Sequence, residues 1–500
     1  MAFIFYGRKE ILFGLCRLNL AVLAAVLVFF AMAAAAKKTF DFDTGAYHLQ
    51  AVNWIYESRI VKGLANLEGK LGFNSLWFVL GATLKALRPE GRISLLNLLM
   101  VYFFAAAVWA SFRRIFEKKA GLADFFMALC AIPLAYEGIG KHHLIGLSTD
   151  LPVTFLTLYL TGLWIRSFEE PENVFARACF LPLAAFALTL KVSAFPVFAG
   201  SLLIFWLNKS SRLPHIKRIF SFGILLSGLW MARGVMLSGC PVYPLEFGCV
   251  QSLDWSVPQT LLQGETEVIA KWARLPSQVD ETRATKAWSF LPAGKPEEMV
   301  RDWRWLKPWL VRMAEEPGAR AAGFLFLAGF LTLAALRKLR GVLRESSFAV
   351  PFALSAGGIL FWFLTAPDPR FGYGSLFSVG ILPAAAALRR MKGFWAPRLT
   401  ALVGIWFLKG FVVLLVSGVS HGSKALSWKD APAYPTAVTT GVKTLEGYPL
   451  NVAGAFQCWE APLPCVPSPR PDLKVKVSPS GFPEMFWYDR EFKARAKDLD

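Results

Sequence analysis

Histidine is scarce in this sequence, with five among 500 residues, and none lies beside the cysteines that occur in pairs. The pairs are Cys240 with Cys249 and Cys458 with Cys465. Zinc sites in proteins commonly combine cysteine with histidine, so a zinc site at either pair is not favoured. A removable secretory signal is also not indicated, because no small-residue cleavage site follows the first apolar run. We therefore expect a retained first helix.

Acidic residues are outnumbered, 35 against 54 lysines and arginines, which gives a formal net charge of +19 at pH 7. Such a balance can indicate nucleic-acid binding, but the sequence contains no nucleic-acid-binding module. The basic residues fall largely in short loops between apolar runs, which is the positive-inside pattern of membrane proteins. A basic face toward anionic lipid is a further consequence. The charge thus predicts membrane lipids as partners and no nucleic acid.

Apolar residues dominate the composition: 55% of the chain is hydrophobic and the mean hydropathy is +0.44. Many separate apolar runs of about twenty residues predict an all-α polytopic membrane protein, because a spanning chain must satisfy its backbone groups internally. We predict eleven transmembrane helices, at residues 18–36, 93–112, 122–138, 149–165, 175–190, 194–207, 219–237, 321–336, 348–366, 373–388 and 399–419.

This topology places nearly every short basic loop on one side of the membrane, which we assign to the cytoplasm together with the N-terminus. Residues 73–87 are apolar but short, so we expect a re-entrant or interfacial helix there; as a twelfth span they would invert the later loops. The transmembrane domain is then residues 1–420, with external loops at 37–92 and 238–318. Residues 421–500 are expected to form a small, irregular extracytoplasmic appendage.

Three polar segments fall on the external side of this topology, and each has an ordinary local explanation. An aspartate can cap a helix, and an exposed Asp–Arg pair contributes little stability. Three such segments on one face are less easily explained one by one, so we predict a shared external site. The first of them continues into an amphipathic helix, residues 48–56, expected to lie along the interface. The segments contain Asp41, Asp43, Tyr47 and His48; Lys141, His142, His143 and Asp150; and Asp368 with Arg370.

The layout of the first 400 residues resembles the integral-membrane glycosyltransferases of the C superfamily (GT-C). The shared features are a first helix followed by an external acidic motif and a surface-lying helix, with a second acidic motif between the third and fourth helices. The chain looks most like the bacterial branch that uses lipid-linked sugars, which includes lipopolysaccharide-modifying and protein-mannosylating members. Residues 43–51 and 69–75 also resemble an uncharacterised bacterial membrane-protein family related to that branch. Many relatives have an Asp-Glu pair where this chain has Asp43-Thr44-Gly45, so the substrate class does not carry over.

The resemblance implies a site on the extracytoplasmic face of the bacterial inner membrane, which moves a sugar from a polyprenyl-phosphate donor to a glycan, lipid or protein acceptor. Asp43 matches the first-loop acid and is the expected general base, with Asp41 in reserve. Arg370 suits the departing phosphate, because its planar fork of donors matches phosphate oxygens. Asp150 matches the second acidic motif, and it would orient the acceptor or join Asp43 in holding an optional divalent cation, Mg or Mn. We predict no other cofactor. The remaining expected donor- or substrate-binding residues are Lys191, His142, His143, His48, Tyr47 and Asp368.

The long external loop is rich in tryptophan. Indole rings prefer the membrane interface, so anchoring is one interpretation of this loop, and a wall over a lipid or sugar groove is the other. An external location is oxidising, which predicts two local disulfides, Cys240–Cys249 and Cys458–Cys465; pairing between the loop and the tail is the alternative. The tryptophans are Trp255, Trp272, Trp288, Trp303, Trp305 and Trp309.

Two other functions compete with glycosyl transfer. An O-antigen polymerase or ligase is also multi-span and externally active, but the acidic motif directly after the first helix fits GT-C better. A transporter or flippase of lipid-linked sugars needs charged groups or broken helices near the middle of the membrane. Lys191 is the one candidate for such a group, and the predicted topology puts it at the outer end of its helix.

Overall fold

The computed structural model describes residues 41–58, 60–87, 95–137, 146–208, 216–275, 296–391 and 434–489, except residues 436, 455 and 471. The predicted first and last spans, residues 18–36 and 399–419, lie outside the described residues. So do Lys141, His142, His143 and Trp288.

The described chain is mostly helical, with short strands near its C-terminus. A π-type turn at Thr44–His48 precedes the first helix, and 3-10 turns lie at Gly69–Gly72 and Val192–Ala194. The helices are α1 (Leu49–Ser58), α2 (Leu64–Leu67), α3 (Leu76–Leu87), α4 (Leu95–Phe116), α5 (Leu122–Leu129), α6 (Ala131–Ala135), α7 (Asp150–Glu169), α8 (Val174–Leu190), α9 (Phe195–Leu207), α10 (Ile216–Ser238), α11 (Gln259–Arg274), α12 (Pro296–Arg301), α13 (Leu306–Glu315), α14 (Pro317–Ala335), α15 (Leu339–Leu343), α16 (Ser346–Thr365) and α17 (Pro369–Arg390).

Within the described residues, six helices are long and apolar enough to cross a membrane: α4, α7, α10, α14, α16 and α17. Each coincides with a predicted span. Only 11% of the most apolar part of α10 and 22% of that of α14 is buried, so most of their apolar surface is available to lipid. These features are those of an α-helical membrane protein. The count of eleven spans stays a prediction.

The other predicted spans within the described residues correspond to shorter apolar helices. In place of the span predicted at residues 122–138, the structure has two short helices, α5 and α6, which meet at Cys130 and end at Ala135. Pro133 lies in α6 and has no N–H to donate to the carbonyl four residues earlier, which weakens a continuous helix there. Helix α3 has 12 residues, or about 18 Å at 1.5 Å per residue, and is too short for a bilayer core of about 30 Å.

The bundle core lies where α4, α5, α7, α14 and α17 meet. Phe104 of α4 stacks on Phe155 of α7 with ring centroids 4.4 Å apart. Helices α14 and α17 approach closely at Gly329, where a Cβ atom would lie 2.3 Å from the backbone nitrogen of Ala384. Small residues allow this close approach between membrane helices, so a larger residue at Gly329 would force α14 away from α17.

One end of the bundle is closed by an ion-pair network, and we name it the basic end. Arg114 of α4 and Arg166 of α7 both reach Asp124 of α5, at 3.0 Å and 2.6 Å. Arg389 of α17 reaches Glu345, just before α16, at 2.9 Å. These pairs join the ends of helices that run in alternating directions.

The opposite end of the bundle, which we name the site end, gathers the predicted polar segments. Asp150 begins α7, Lys191 follows α8, and Arg370 lies in the first turn of α17. The side chain of Asn97 in α4 donates to the carbonyl of Ser148 at 3.2 Å, which fixes the segment before α7. Helix α7 has 20 residues, so the two ends are about 30 Å apart, close to the thickness of a bilayer core.

The C-terminal region is not irregular, as the sequence suggested, but contains five strands. Strands β1 (Thr439–Leu445) and β2 (Tyr448–Ala453) are antiparallel, and β3 (Cys465–Val466) adds to β2 in parallel. Strands β4 (Leu473–Val477) and β5 (Pro483–Tyr488) form an antiparallel pair. Short strands that are joined by proline-containing connections give only a weak sequence signal, which explains why the sequence analysis did not predict them.

The strands pack on helix α1, which the sequence analysis placed along the membrane interface. Trp54 of α1 makes edge-to-face contacts with Phe482 and Phe486 at centroid distances of 6.1 Å. Strand β5 is also tied to the first loop, since the Phe486 N–H donates to the Lys62 carbonyl at 2.9 Å. The apolar face of α1 is thus covered by the chain's own C-terminal strands.

Candidate functional site

The centre of the site is a contact between Asp43 and Arg370. The Arg370 Nη1 lies 3.4 Å from the Asp43 Oδ2, and the two side chains are 24% and 28% exposed. Asp43 lies at the start of the π-type turn, and Arg370 lies in the first turn of α17. The pair is therefore within reach of a molecule entering from the site end, although most of its surface is covered.

Arg370 is shared by two more carboxylates. Asp368 Oδ1 lies 3.4 Å from its Nε, and Asp150 Oδ2 lies 3.9 Å from its Nη1. Asp150 is also bound by Lys191, and Asp368 is also bound by Arg312. Three carboxylates thus meet three cations, so the formal charges of this set cancel.

Asp368 fixes the position of Arg370. Its carboxylate accepts a hydrogen bond from the Arg370 N–H at 3.0 Å, so it caps α17. The backbone on either side is held by indoles, with Trp309 Nε1 donating to Pro367 O and Trp362 Nε1 donating to Asp368 O, both at 2.6 Å. Asp368 is 1% exposed, which makes it part of the scaffold of the site and leaves little room for substrate contact.

Asp41 likewise builds the site. Its carboxylate accepts from the Thr44 N–H at 2.9 Å and from the Thr44 hydroxyl at 2.6 Å. Thr44 Oγ1 in turn accepts from the Leu147 N–H at 2.9 Å, which ties the first motif to the segment before α7. His48 Nδ1 lies 3.8 Å from Asp41 Oδ1 and 3.4 Å from Thr44 Oγ1. Asp43 is the carboxylate that this arrangement leaves facing the opening.

The surroundings set the protonation of the first motif. Burial disfavours ionisation of Asp43, but the surrounding charges, of which that of Arg370 is the largest, together outweigh it and lower the pKa of Asp43 below its ordinary value. Burial lowers the pKa of His48, although the nearby carboxylates oppose this effect, so the imidazole is neutral at pH 7. Burial and the charge of Asp43 raise the pKa of Tyr47, whose hydroxyl stays protonated.

Trp272 of α11 forms a wall of the site. Its ring lies under the Arg370 guanidinium, with the guanidinium carbon 4.6 Å from the ring centroid, and it is 37% exposed. Phe371 supports the neighbouring cation, since its ring centroid lies 3.8 Å from Lys191 Nζ. Trp305 and Trp309 are buried against α16, so part of the tryptophan-rich loop packs on the protein and part borders the site.

Residues 2–377 of the chain match the model of a family described as "Domain of unknown function (DUF8201)". The chain belongs to this family. The DUF8201 match contains Asp43, Asp150, Lys191 and Arg370, and it ends before the C-terminal strands. No curated protein matches the chain closely enough to count as a relative.

The site of this DUF8201 member brings together most of the predicted residues. Asp41, Asp43, His48, Asp150, Lys191, Asp368 and Arg370 meet in one cluster, and Tyr47 lies beside it, with its ring centroid 4.4 Å from that of His48. His142 and His143 are outside the described residues. The disulfides Cys240–Cys249 and Cys458–Cys465 are both formed as predicted, which excludes pairing between loop and tail.

A divalent cation does not fit this set of carboxylates. Asp43 and Asp150, the predicted ligands, are both paired with Arg370, and Asp150 is paired with Lys191 as well. Within the ranges that the structure describes, no group of three His, Cys, Asp or Glu residues could hold a metal ion. Cationic side chains occupy the places that a metal would take, so no step is derived through a metal.

Sequence reasoning missed two cations of the DUF8201 site, Arg312, which pairs with Asp368, and Lys70. Lys70 belongs to the 3-10 turn Gly69–Gly72, and among the described residues no acidic side chain lies within ion-pair distance of its ammonium. Its charge acts on Asp43, where it helps lower the pKa, and on Glu265, where it opposes the rise caused by burial. The charge of Lys70 thus acts on both carboxylates. The available signal was that Lys70 lies within residues 69–75, which resemble an uncharacterised bacterial membrane-protein family.

A second missed feature is the C-terminal region, which covers the first motif. The Trp459 N–H donates to the Gly45 carbonyl at 2.9 Å, and Gln457 Nε2 donates to the Phe42 carbonyl at 3.1 Å. No motif in the tail indicated this contact. Both hydrogen bonds are accepted by backbone carbonyls, which every residue has, so the sequence does not show where they form.

Proposed function

We propose that this protein is a membrane glycosyltransferase that moves a sugar from a polyprenyl-phosphate donor to an extracytoplasmic glycan, lipid or protein acceptor. The observation that carries the proposal is the pairing of a partly exposed carboxylate, Asp43, with a partly exposed guanidinium, Arg370, at one end of a membrane-type bundle. Acid and cation from distant parts of the chain meet where a lipid headgroup and a water-borne acceptor could both reach them.

Asp43 acts as general base in this proposal. An acceptor hydroxyl gives its proton to the Asp43 carboxylate as its oxygen forms a bond to the anomeric carbon of the donor sugar. The bond from that carbon to the phosphate oxygen breaks, and polyprenyl phosphate leaves with the electron pair. Positioned bases of this kind contribute about a hundred- to ten-thousand-fold in rate.

Arg370 links donor binding to the strength of the base. While it is paired with Asp43, it holds the pKa of Asp43 low, which makes the carboxylate a weak base. A donor phosphate that binds Arg370 neutralises part of its charge and raises the pKa of Asp43. The base thus becomes stronger when the donor is in place, because both groups compete for one guanidinium.

With Asp41 included, the cluster has four carboxylates against three cations, so the donor phosphate needs further positive charge. Lys70 supplies it, since its charge helps to lower the pKa of Asp43 and its ammonium forms no ion pair with an acidic side chain among the described residues. In this proposal Lys70 holds the phosphate, Arg370 and Lys191 stabilise the charge that develops on the leaving group, and Trp272 borders the sugar.

The experiment uses the purified full chain in nanodiscs with polyprenyl-phosphate donors that carry different radiolabelled sugars. A membrane extract from a strain lacking the gene provides the acceptor, and the labelled product is identified by mass spectrometry. We expect label to move from at least one donor, and Asp43→Asn to lower the transfer by about a hundredfold or more. Glu172→Gln, at the basic end, is the control and should transfer normally. The proposal fails if two results are found together. The wild-type chain transfers no sugar, and the intact strain has the same surface glycans as the strain lacking the gene.

A further inference from the structure

The loop between Cys458 and Cys465, together with Gln457 directly before it, contacts the backbone on both sides of Asp43. Before Asp43, the Phe42 carbonyl accepts from Gln457 Nε2 at 3.1 Å; after it, the Gly45 carbonyl accepts from the Trp459 N–H at 2.9 Å. Two hydrogen bonds therefore hold the four-residue segment that carries the proposed base. Both come from a part of the chain more than 400 residues away, beyond the range of the family match.

The contact is tight as well as hydrogen-bonded. A Cβ atom on Gly45 would lie 2.5 to 2.7 Å from three ring carbons of Trp459, so the indole lies directly on the Gly45 backbone. Trp459 is 7% exposed, and Tyr434 stacks on it at a centroid distance of 6.4 Å. A ring this well buried cannot serve as a stacking surface for a sugar, which leaves a role in holding the motif.

The loop is itself fixed in place. Gln50 of α1 donates through Nε2 to the carbonyls of Trp459 and Ala461, each at 3.0 Å. Phe456 and Trp459 have positive φ angles of 57° and 43°, a region that residues other than glycine rarely adopt and that persists where the surroundings impose it. The disulfide closes the loop, and Cys465 belongs to strand β3, so the loop is anchored to the sheet.

The segment that the loop holds is irregular on its own. Residues Thr44–His48 form a π-type turn, a rare conformation that occurs mostly as single turns and often at functional sites. A displacement of about 1 Å at a catalytic group is enough to cost about a hundredfold in rate, so such a turn needs external support.

We propose that the disulfide-closed loop Cys458–Cys465 is the positioning element of the candidate base, with Trp459 holding Asp43 against Arg370. The inference rests on the proposed function and adds that transfer requires the C-terminal region and its disulfide. Trp459 is a positioning residue, because it touches the backbone of the motif and not the reacting atoms.

The test compares Trp459→Ala, Trp459→Phe and the pair Cys458→Ser/Cys465→Ser with the wild type in the nanodisc transfer assay. We expect Trp459→Ala and the cysteine pair to lower kcat by about tenfold or more, with the KM for the donor changed by less than about twofold. Trp459→Phe should restore most of the rate. In an Asp43→Asn background, Trp459→Ala should change the residual rate by less than about twofold, because the group that it positions is gone. Cys240→Ser/Cys249→Ser, which opens the other disulfide, is the matched control and should keep its kcat.

A second measurement does not depend on transfer. Amide hydrogen exchange of the peptide covering residues 41–50 should speed up in Trp459→Ala and after reduction of the wild-type disulfides, and it should return on reoxidation. Unchanged exchange in this peptide, or an unchanged kcat in Trp459→Ala, would overturn the inference. A wild-type chain that transfers no sugar overturns the proposed function instead, and hydrogen exchange then still decides whether the loop holds the motif.

Discussion

Arg370 lies 3.4 Å from Asp43 although 327 residues separate them in the sequence, and both side chains are partly exposed. In the proposed function, this pair keeps a base and a phosphate-binding group together before any substrate arrives. The two neighbours in the first motif, Asp41 and Asp43, therefore have different duties, and substitutions should separate them.

We expect Asp43→Asn to lower transfer by about a hundred- to ten-thousand-fold while the protein stays folded, because it removes the base and few structural contacts. Asp41→Asn should instead lower stability by about 1–3 kcal/mol, since Asp41 accepts two hydrogen bonds from buried Thr44. Transfer rates and thermal unfolding midpoints in detergent measure the two effects. The assignment of roles is wrong if Asp41→Asn loses transfer and Asp43→Asn does not.

Lys70→Ala should raise the KM for the donor by about ten- to a hundredfold and change kcat less, because a charged hydrogen bond to phosphate is lost in the ground state as well as in the transition state. Lys62→Ala is a suitable control, since the Lys62 ammonium lies over the Trp255 ring at 4.8 Å and away from the site. Steady-state kinetics with varied donor concentration measure both. Equal KM values for the two variants would remove Lys70 from the phosphate site.

Trp272→Ala should reduce transfer by about two- to thirtyfold, which corresponds to a cation–π contact of about 0.5–2 kcal/mol with Arg370. Trp272→Phe should lose less, because it keeps an aromatic face beneath the guanidinium. Trp303, which is 53% exposed and stacks on Trp305, provides the control substitution Trp303→Ala. Similar rates for both alanine variants would mean that Trp272 serves only in packing.

The buried His48 should make stability depend on pH. Its pKa is lowered by burial in the folded state, so the unfolded chain binds the proton more readily, and stability falls as the pH drops from about 6.5 toward the folded-state pKa. The unfolding midpoint of the wild type should therefore decrease between about pH 7 and about pH 5, and that of His48→Gln should decrease less. Parallel pH curves for the two proteins would show that other groups are responsible.

Asp124→Asn tests whether the basic end acts on stability alone. Asp124 is 1% exposed and pairs with Arg114 and Arg166, which both keep Glu170 as a partner. The unfolding free energy should fall by about 1–3 kcal/mol. The loss is no larger because Arg114 is partly exposed, so solvent screens its ion pair with Asp124. Transfer per folded molecule should equal that of the wild type, since the site lies about 30 Å away at 1.5 Å per residue of α7. A specific loss of kcat would contradict this separation.

The positions of the helices could be predicted because long apolar runs have few alternatives in a membrane. The six long helices in the described chain coincide with predicted spans, and the alternating basic loops put Asp43, Asp150 and Arg370 at one end. Such reasoning depends only on run length and charge, which single sequences display directly.

The details of the site could not be predicted in the same way. Nothing local distinguishes Asp41, which binds Thr44 within its own turn, from Asp43, which faces Arg370. Nor does the sequence show that Asp368 caps α17 and also binds Arg312. These differences arise from packing between distant segments, which sequence spacing does not record.

The tail illustrates the same limit more strongly. Its disulfide could be predicted from two nearby cysteines in an oxidising location, but the loop that it closes was given no role. The contact of Trp459 with Gly45 depends on the missing side chain of the glycine and on its backbone carbonyl. Neither feature forms a recognisable sequence motif.

The hydrogen bond from Gln50 to the Trp459 carbonyl spans 409 residues, and this separation orders events during synthesis. A ribosome that adds about 5–20 residues per second makes Trp459 about 20–80 s after Gln50. During that interval the first motif is present without its cover. In the predicted topology it stays so until the tail has crossed the membrane and the Cys458–Cys465 disulfide has formed. Under the proposed function, a newly made chain remains inactive until this segment is in place, so that an incomplete protein does not consume donor lipid.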